Sequence, residues 1–275
     1  MNNGKYVVDY IFNDYRPTLG HISVVDFEEH PATALLRFTI DVKNAVEKCK
    51  TEFPKLANNH LTLESKVAIQ NIINSSLAAI MGYFEMYEKY LFAGVFEQSS
   101  LLKKFDEKAF FKATFGPCEK GKVEIPIEQL TAYRRSSVST GLIIANSLSG
   151  WHSPQKVNSY FMAFGLRTNV FSNADVDELN LLWQMRHSIV HNAASITLAD
   201  AQKLPALKKL GNKEIVLSNK FIYDLTKYLH SVVFNANTRV KTEFSNGLIH
   251  ELSATEKQNA LKIFEVTSSV PAWLH

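Results

Sequence analysis

The chain has 275 residues, 46% hydrophobic and 21% charged, with 11 glycines and 8 prolines, which excludes fibrous and disordered classes and suffices to bury a substantial core. Its 30 basic and 27 acidic residues leave a formal net charge of +3, so contact with a polyanion is permitted and not demanded. Cys49 and Cys118 stand far apart and in no C-x-x-C pair, which argues against a disulfide framework or thiolate zinc site and for a reducing compartment.

The segment from Met1 to Tyr6 lacks the basic-then-apolar layout of a secretion signal. No stretch approaches the roughly 18 uncharged apolar residues of a membrane span, so a soluble cytoplasmic protein is expected. Tyr6–Phe12 and Ile22–Phe27 read as short strands or extended arms, with Pro17 and Gly20 turning the chain between them. From Pro31, a good first helical residue, Leu35, Phe38, Val42, Ala45, Val46, Cys49 and Phe53 mark one helical stripe that stops before Pro54.

After the polar break at Ala57–His60, Ile69, Ile72, Ile73, Leu77, Ile80, Phe84, Tyr87 and Leu91 continue at helical spacing. Glu85 and Lys89, four apart, support that helix's outer face, and Tyr83, Phe84, Tyr87 and Tyr90 form an aromatic band suited to a core or an interface. Phe105–Phe115 suggests a short helix, and Gly116–Lys122 reads as a loop. Pro126 precedes one helical register through Leu130, Tyr133, Val138, Leu142 and Leu148, with Arg134 and Arg135 inside it and Gly150 as its left-handed cap.

Ser153-Pro154 starts a helix ended by Gly165, and Ser172–Asp175 resembles a capping box. Thr197–Asp200 offers another helix start, Glu214–Leu217 a small strand, and Ser218 a cap for a helix using Phe221, Leu225, Leu229 and Val233. Ser253–Glu256 opens a last short helix. The sum is an all-α bundle with minor short strands.

One stretch combines apolar periodicity with reactive side chains. Leu179, Leu182, Trp183, Met185, Ile189 and Val190 give a helical stripe, yet its last turns carry Arg186, His187 and His191. A guanidinium stripped of water without a partner costs several kcal/mol by general estimates, so something polar should meet that face. Asn192, a residue tolerated in the left-handed conformation, should put His191 at the exposed helix end. On a helix His187 and His191 share a face, and Arg186 lies about 100° round from His187, within reach of the same space.

Arginine can grip two phosphate oxygens and histidine can exchange protons near neutral pH, the two tools that metal-free phosphodiester cleavage needs. Two bland alternatives stand beside this. Arg186 could pair with a carboxylate such as Glu85, leaving His191 as a dipole-stabilised cap. His187 and His191 could hold zinc, but the glutamate of H-E-x-x-H is missing and no third ligand is signposted among His152, His230 and His250.

The run Arg186-His187-Ser188-Ile189-Val190-His191 resembles the R-x4-6-H signature of the HEPN superfamily, which places a polar residue after the arginine and ends on this histidine. The resemblance extends over residues 63–236, leaving 1–62 as an N-terminal extension with one helix and 237–275 as a tail with a short helix. It implies a HEPN-like helical core and a metal-independent endoribonuclease without cofactor. It further implies a homodimer with a composite cleft that acts on RNA in toxin, stress or phage-defence systems, with an antitoxin or sensor protein as a candidate partner that the sequence does not itself indicate. His191 would be general base or acid toward the 2′-hydroxyl or the 5′-oxygen, and Arg186 would stabilise the transition state. His187, Arg134, Arg135 and Asn192 would position substrate, with Glu85 supporting from behind. Products would carry 2′,3′-cyclic phosphate and 5′-hydroxyl ends. The alternative from another class is a catalytically silent module that binds RNA or a partner protein.

Overall fold

The computed structural model describes residues 24–116, 131 and 138–266. The fold is all-α, with helices α1 (Val24–Glu29), α2 (Pro31–Glu52), α3 (Leu63–Glu97), α4 (Glu107–Phe115), α5 (Thr140–Ser147), α6 (Pro154–Met162), α7 (Asn173–His191), α8 (Leu198–Lys203), α9 (Phe221–Gly247) and α10 (Ala254–Leu261). A two-stranded antiparallel ribbon pairs β1 (Ser195–Ile196) with β2 (Lys213–Glu214).

α3 is the rod on which the rest is hung. It touches α1, α2, α5, α6, α7 and α9, because Ile69, Ile73, Leu77, Ile80, Met81, Phe84, Tyr87, Leu91, Phe92 and Val95 are buried along one broad face and Ile72, Tyr83, Met86 and Tyr90 pack, partly buried, on the rest. A helix apolar on most sides must be covered on most sides. At 35 residues α3 is also long and apolar enough to cross a membrane by length and composition, although charged residues interrupt its apolar run. Here the neighbouring helices cover its buried side chains.

Caps set where the helices begin. The Thr62 hydroxyl accepts from the Ser65 backbone N–H to start α3, and Asp106 does the same for Ala109 at α4. Ser172 and Asp175 make the reciprocal pair at α7, and Ser253 and Glu256 repeat it at α10. α5 seats closely on α3: the Gly141 N–H donates to Glu97 at 2.6 Å, and a Cβ at Gly141 would collide with the Ala93 carbonyl.

The aromatic band belongs to the core. Phe92 is ringed by Phe110, Trp151, Tyr160, Phe161 and Phe164, with centroids 5.1–6.2 Å away. Tyr83 stacks on Phe38 of α2 at 3.7 Å, and Phe27 of α1 lies between Tyr83 and Tyr90. The buried Tyr87 hydroxyl donates to Asn237 of α9 at 2.7 Å, which in turn donates to the Phe264 carbonyl. That chain of donors satisfies polar atoms which burial would otherwise make costly.

Several elements differ from their sequence reading. The end of the Ile22–Phe27 segment is helical, because Phe27 is fully buried against α3 and the chain turns directly into α2. The helix read through Val138 and Leu142 is not continuous: residues 138–139 leave the helix, and Ser139, in extended backbone, caps α5 through the Leu142 N–H. Gly150 does take a positive φ of 88°, but two residues beyond the cap of α5, Leu148. Ser218 caps nothing with its side chain; α9 begins after Lys220, with the Ser218 carbonyl accepting from Phe221. α9 then continues past 236 to Gly247, and α2 packs against both α3 and α9, so the core draws on residues either side of 63–236. The strand read at Glu214–Leu217 is limited to Lys213–Glu214. Tyr6–Phe12, the segment from Pro117 to Lys122, Arg134 and Arg135 lie outside the described residues.

Candidate functional site: a basic cleft at the end of α7

α7 is held at both ends. At its start, Asp175 closes the capping box and takes an ion pair from Arg239 of α9 at 3.1 Å. Along its length Leu179, Leu182, Trp183 and Ser188 are buried, and Trp183 meets Phe84 of α3 edge-on. With one side fixed in the core, the other side at the C-terminal turns must face outward. His187 and His191 are exposed there, and their rings lie 4.9 Å apart.

His191 is the last helical residue, as its position before Asn192 suggested, but Asn192 is not the left-handed residue (φ −124°). Ala193 and Ala194 take φ of 49° and 60° instead. Two interactions explain the displacement. The Asn192 amide donates to Asp200 at 2.9 Å, and the buried Ser188 offers its carbonyl to both the Asn192 and Ala194 N–H groups. The Ala194 carbonyl accepts from Ile215, so the reversal is also locked to the ribbon.

Asp200 is the hidden keystone of this corner. It is 4% exposed, accepts from Thr197 and Asn192 at 2.9 Å each, and pairs with Lys203 at 2.6 Å. The Lys203 contact, then the Thr197 hydroxyl and the field of Lys203 and His187, outweigh burial and hold its carboxyl below the usual carboxylate range. An anion fixed under the loop thereby anchors Lys203, half-exposed, at the cleft.

The cleft itself is open, with a volume of about 300 Å³, and is lined by His152, Asn180, Trp183, Gln184, Arg186, His187, Lys203 and Leu204. Arg186 makes no ion pair among the described residues, and its Nε is buried without a hydrogen-bond partner. Glu85 does not neutralise it. Glu85 instead accepts from His152 Nε2 and pairs with Lys89, each at 2.7 Å. The His152 contact, helped by Lys89, holds the Glu85 carboxyl down at about 2 against the opposing effect of burial. His152 also packs against Trp183, its ring tilted by 35° with centroids 4.3 Å apart.

Of the residues singled out in the sequence, Arg186 and His187 line the cleft, whereas His191 is not among its lining residues and meets the ring of His187 beside it. Glu85 serves the cleft through His152, and Asn192 is engaged with Asp200, where it fixes the helix end. His152, Lys203 and Asp200 are the residues that sequence reading passed over. Asp200 and Lys203 did have a signal, a capping position and an i,i+3 ion pair, whereas His152 had none because its partners come from α3 and α7. Among the described residues no three His, Cys, Asp or Glu side chains group closely enough to hold a metal ion.

The cleft thus brings Arg186, unpaired among the described residues, and Lys203, paired with Asp200, together with His152 and His187 near the C-terminal turns of α7. The helix dipole there repels negative charge, so the cations must outweigh it. The fold and this cleft describe the class: an all-α protein with a basic, imidazole-rich groove at the end of one core helix. Comparison with protein-family models, with curated proteins and with solved structures yields no match for the chain, so the function is argued from the cleft.

Proposed function

We propose that the protein is a metal-independent endoribonuclease of HEPN type, acting on RNA in the cytoplasm as a homodimer. The observation that carries the reading is Arg186: a guanidinium without a carboxylate partner among the described residues, its Nε buried, lining the same cleft as His187, whose ring in turn lies 4.9 Å from that of His191. A cation left unneutralised at a cleft mouth favours an anionic ligand, and a phosphodiester supplies the missing acceptors. The neighbouring imidazoles supply proton transfer at neutral pH.

In this reading the 2′-hydroxyl attacks phosphorus as His191 removes its proton, while Arg186 and Lys203 stabilise the added charge on the phosphoryl oxygens. His187 positions the strand, and Asp200 keeps Lys203 at the rim. A second subunit facing this open groove across a two-fold axis would enclose the RNA and supply a second motif, which is the basis for proposing a dimer. Toxin or phage-defence activity, restrained by an antitoxin or sensor, is the biological setting this chemistry suits.

The test is cleavage of a mixed RNA by wild type, Arg186→Ala and His191→Ala. Each variant is expected to lose about 100-fold or more in rate, in keeping with loss of a transition-state cation or a proton-transfer group. Wild-type products should end in 2′,3′-cyclic phosphate and 5′-hydroxyl. Undiminished cleavage in both variants removes the assignment. RNA binding without cleavage by wild type assigns the silent binding module instead.

A further inference from the structure

His187 and His191 share one face of α7, with rings 4.9 Å apart, so both approach a bound phosphate from the same side. In-line displacement at phosphorus puts the attacking and departing oxygens on opposite sides. One face of one helix therefore serves one oxygen well and the other poorly. A second proton-transfer group should come from another element.

The cleft contains one. His152 lies in the turn before α6, half-exposed, with its Nε2 2.7 Å from Glu85 Oε2 and its ring tilted against Trp183 of α7 at 4.3 Å. Glu85 is itself held by Lys89, also at 2.7 Å, so the carboxylate is fixed before any ligand arrives. The ring is thus held at one edge by a carboxylate and against an indole, and it lines the cleft together with Arg186, His187 and Lys203. A carboxylate that orients an imidazole and balances imidazolium charge is a recurrent way to ready a proton donor. Two contacts from two different elements, Glu85 of α3 and Trp183 of α7, hold this half-exposed histidine in place.

We propose that the Glu85–His152 pair is the proton donor to the departing 5′-oxygen, with Glu85 as its positioning residue; this rests on the ribonuclease reading. The 2′-oxygen gives its proton to His191 and forms the bond to phosphorus. The bond from phosphorus to the 5′-oxygen breaks, and that oxygen takes the proton of the His152 imidazolium. Water then returns one proton to His152 and removes one from His191, which restores both rings without oxidant or co-reactant.

The experiment uses two oligoribonucleotides that differ at one linkage: ordinary 5′-oxygen, or a bridging 5′-sulfur that departs without protonation. His152→Ala is expected to slow the oxygen linkage by about 100- to 10,000-fold and the sulfur linkage by less than about 10-fold. Glu85→Gln, which keeps a hydrogen-bonding side chain and removes the charge, should show the same pattern at roughly 10-fold. Equal slowing of both linkages, or of neither, overturns the proposal while Arg186→Ala and His191→Ala losses would leave the nuclease reading standing. A wild-type protein that cleaves neither linkage overturns both. His152 is half-exposed, so folding of the variant, checked by circular dichroism, should be unaffected.

Discussion

Glu85 and Glu88 stand three residues apart on α3 and have opposite fates. Glu85 reaches the edge of the cleft, where His152 and Lys89 keep it anionic. Glu88 is 1% exposed, neither of its oxygens has a hydrogen-bond partner among the described residues, and burial pushes its carboxyl well above the usual range, which favours the neutral acid. The difference separates two environments along α3, a dry side around Glu88 and a wet, basic side at the cleft edge around Glu85. What makes a carboxylate useful on the wet side is donors supplied by other elements, a loop histidine above all.

The largest effect that would break this division is a stability contrast between the two sides. Phe92→Ala removes the ring at the centre of five aromatic contacts and should cost about 3–5 kcal/mol, read as a lower denaturant midpoint. Arg186→Ala, on the wet side, should stay within about 0.5 kcal/mol of wild type. If Arg186→Ala destabilises as much as Phe92→Ala, Arg186 is a structural strut and the cleft loses its claim to a ligand.

Asp200→Ala comes next. It leaves Asn192, Thr197 and Lys203 without their shared acceptor, and should cost about 2 kcal/mol in urea melts. Because its folded carboxyl lies below 3.8, the wild-type contribution is present above that pH and fades as pH falls. Asp200→Asn should recover part of the loss at neutral pH, since it keeps an acceptor oxygen for one donor. Equal stability of wild type and Asp200→Ala at pH 7 would mean that the corner is held by the ribbon alone.

The two glutamates themselves predict stability differences of opposite sign. Above pH 4.5 the unfolded chain ionises Glu88 while the folded chain does not, so wild-type stability falls with rising pH until the raised folded value is passed. Glu88→Gln removes that loss and should gain about 1 kcal/mol on wild type for each of the first pH units above 4.5. Glu85 behaves conversely: its contribution is present above 4.5 and lost as pH falls toward about 2. Glu85→Gln should therefore cost about 1 kcal/mol at pH 7, discounted for its partial exposure, and nothing near pH 2. Parallel pH profiles for the two variants would erase the distinction between the sides.

How much of this was legible in the sequence follows from which interactions are local. The limits of α2, the capping boxes at Ser172 and Ser253, and the outer Glu85–Lys89 pair all depend on residues within four positions of one another, and the chain states them directly. The arrival of His191 at a helix end was equally local. The cleft was only half legible, because His152 meets Glu85 across 67 residues and nothing near His152 in the chain announces it. The helix break at 138–139 and the burial of Phe27 were hidden for the same reason: contacts with α3 outweigh the local periodicity.

The smallest predicted effect concerns the reversal after His191. An alanine in the left-handed region is strained by about 1 kcal/mol, and two in succession, at φ of 49° and 60°, are unusual where glycine or asparagine would serve. Ala194→Gly keeps both backbone hydrogen bonds of that residue, to Ser188 and from Ile215, and relieves the strain. Glycine's larger unfolded-state entropy offsets much of the gain, so the net stabilisation should be roughly 0.5 kcal/mol. The sharper measurement is cleavage in the same variant. If the alanines serve only to turn the chain, rate and stability move independently and the rate is unchanged. If their restricted backbone holds His191 against the cleft, Ala194→Gly gains stability while losing rate, and the wet side of α3 then includes a stiff hinge beside its imidazoles.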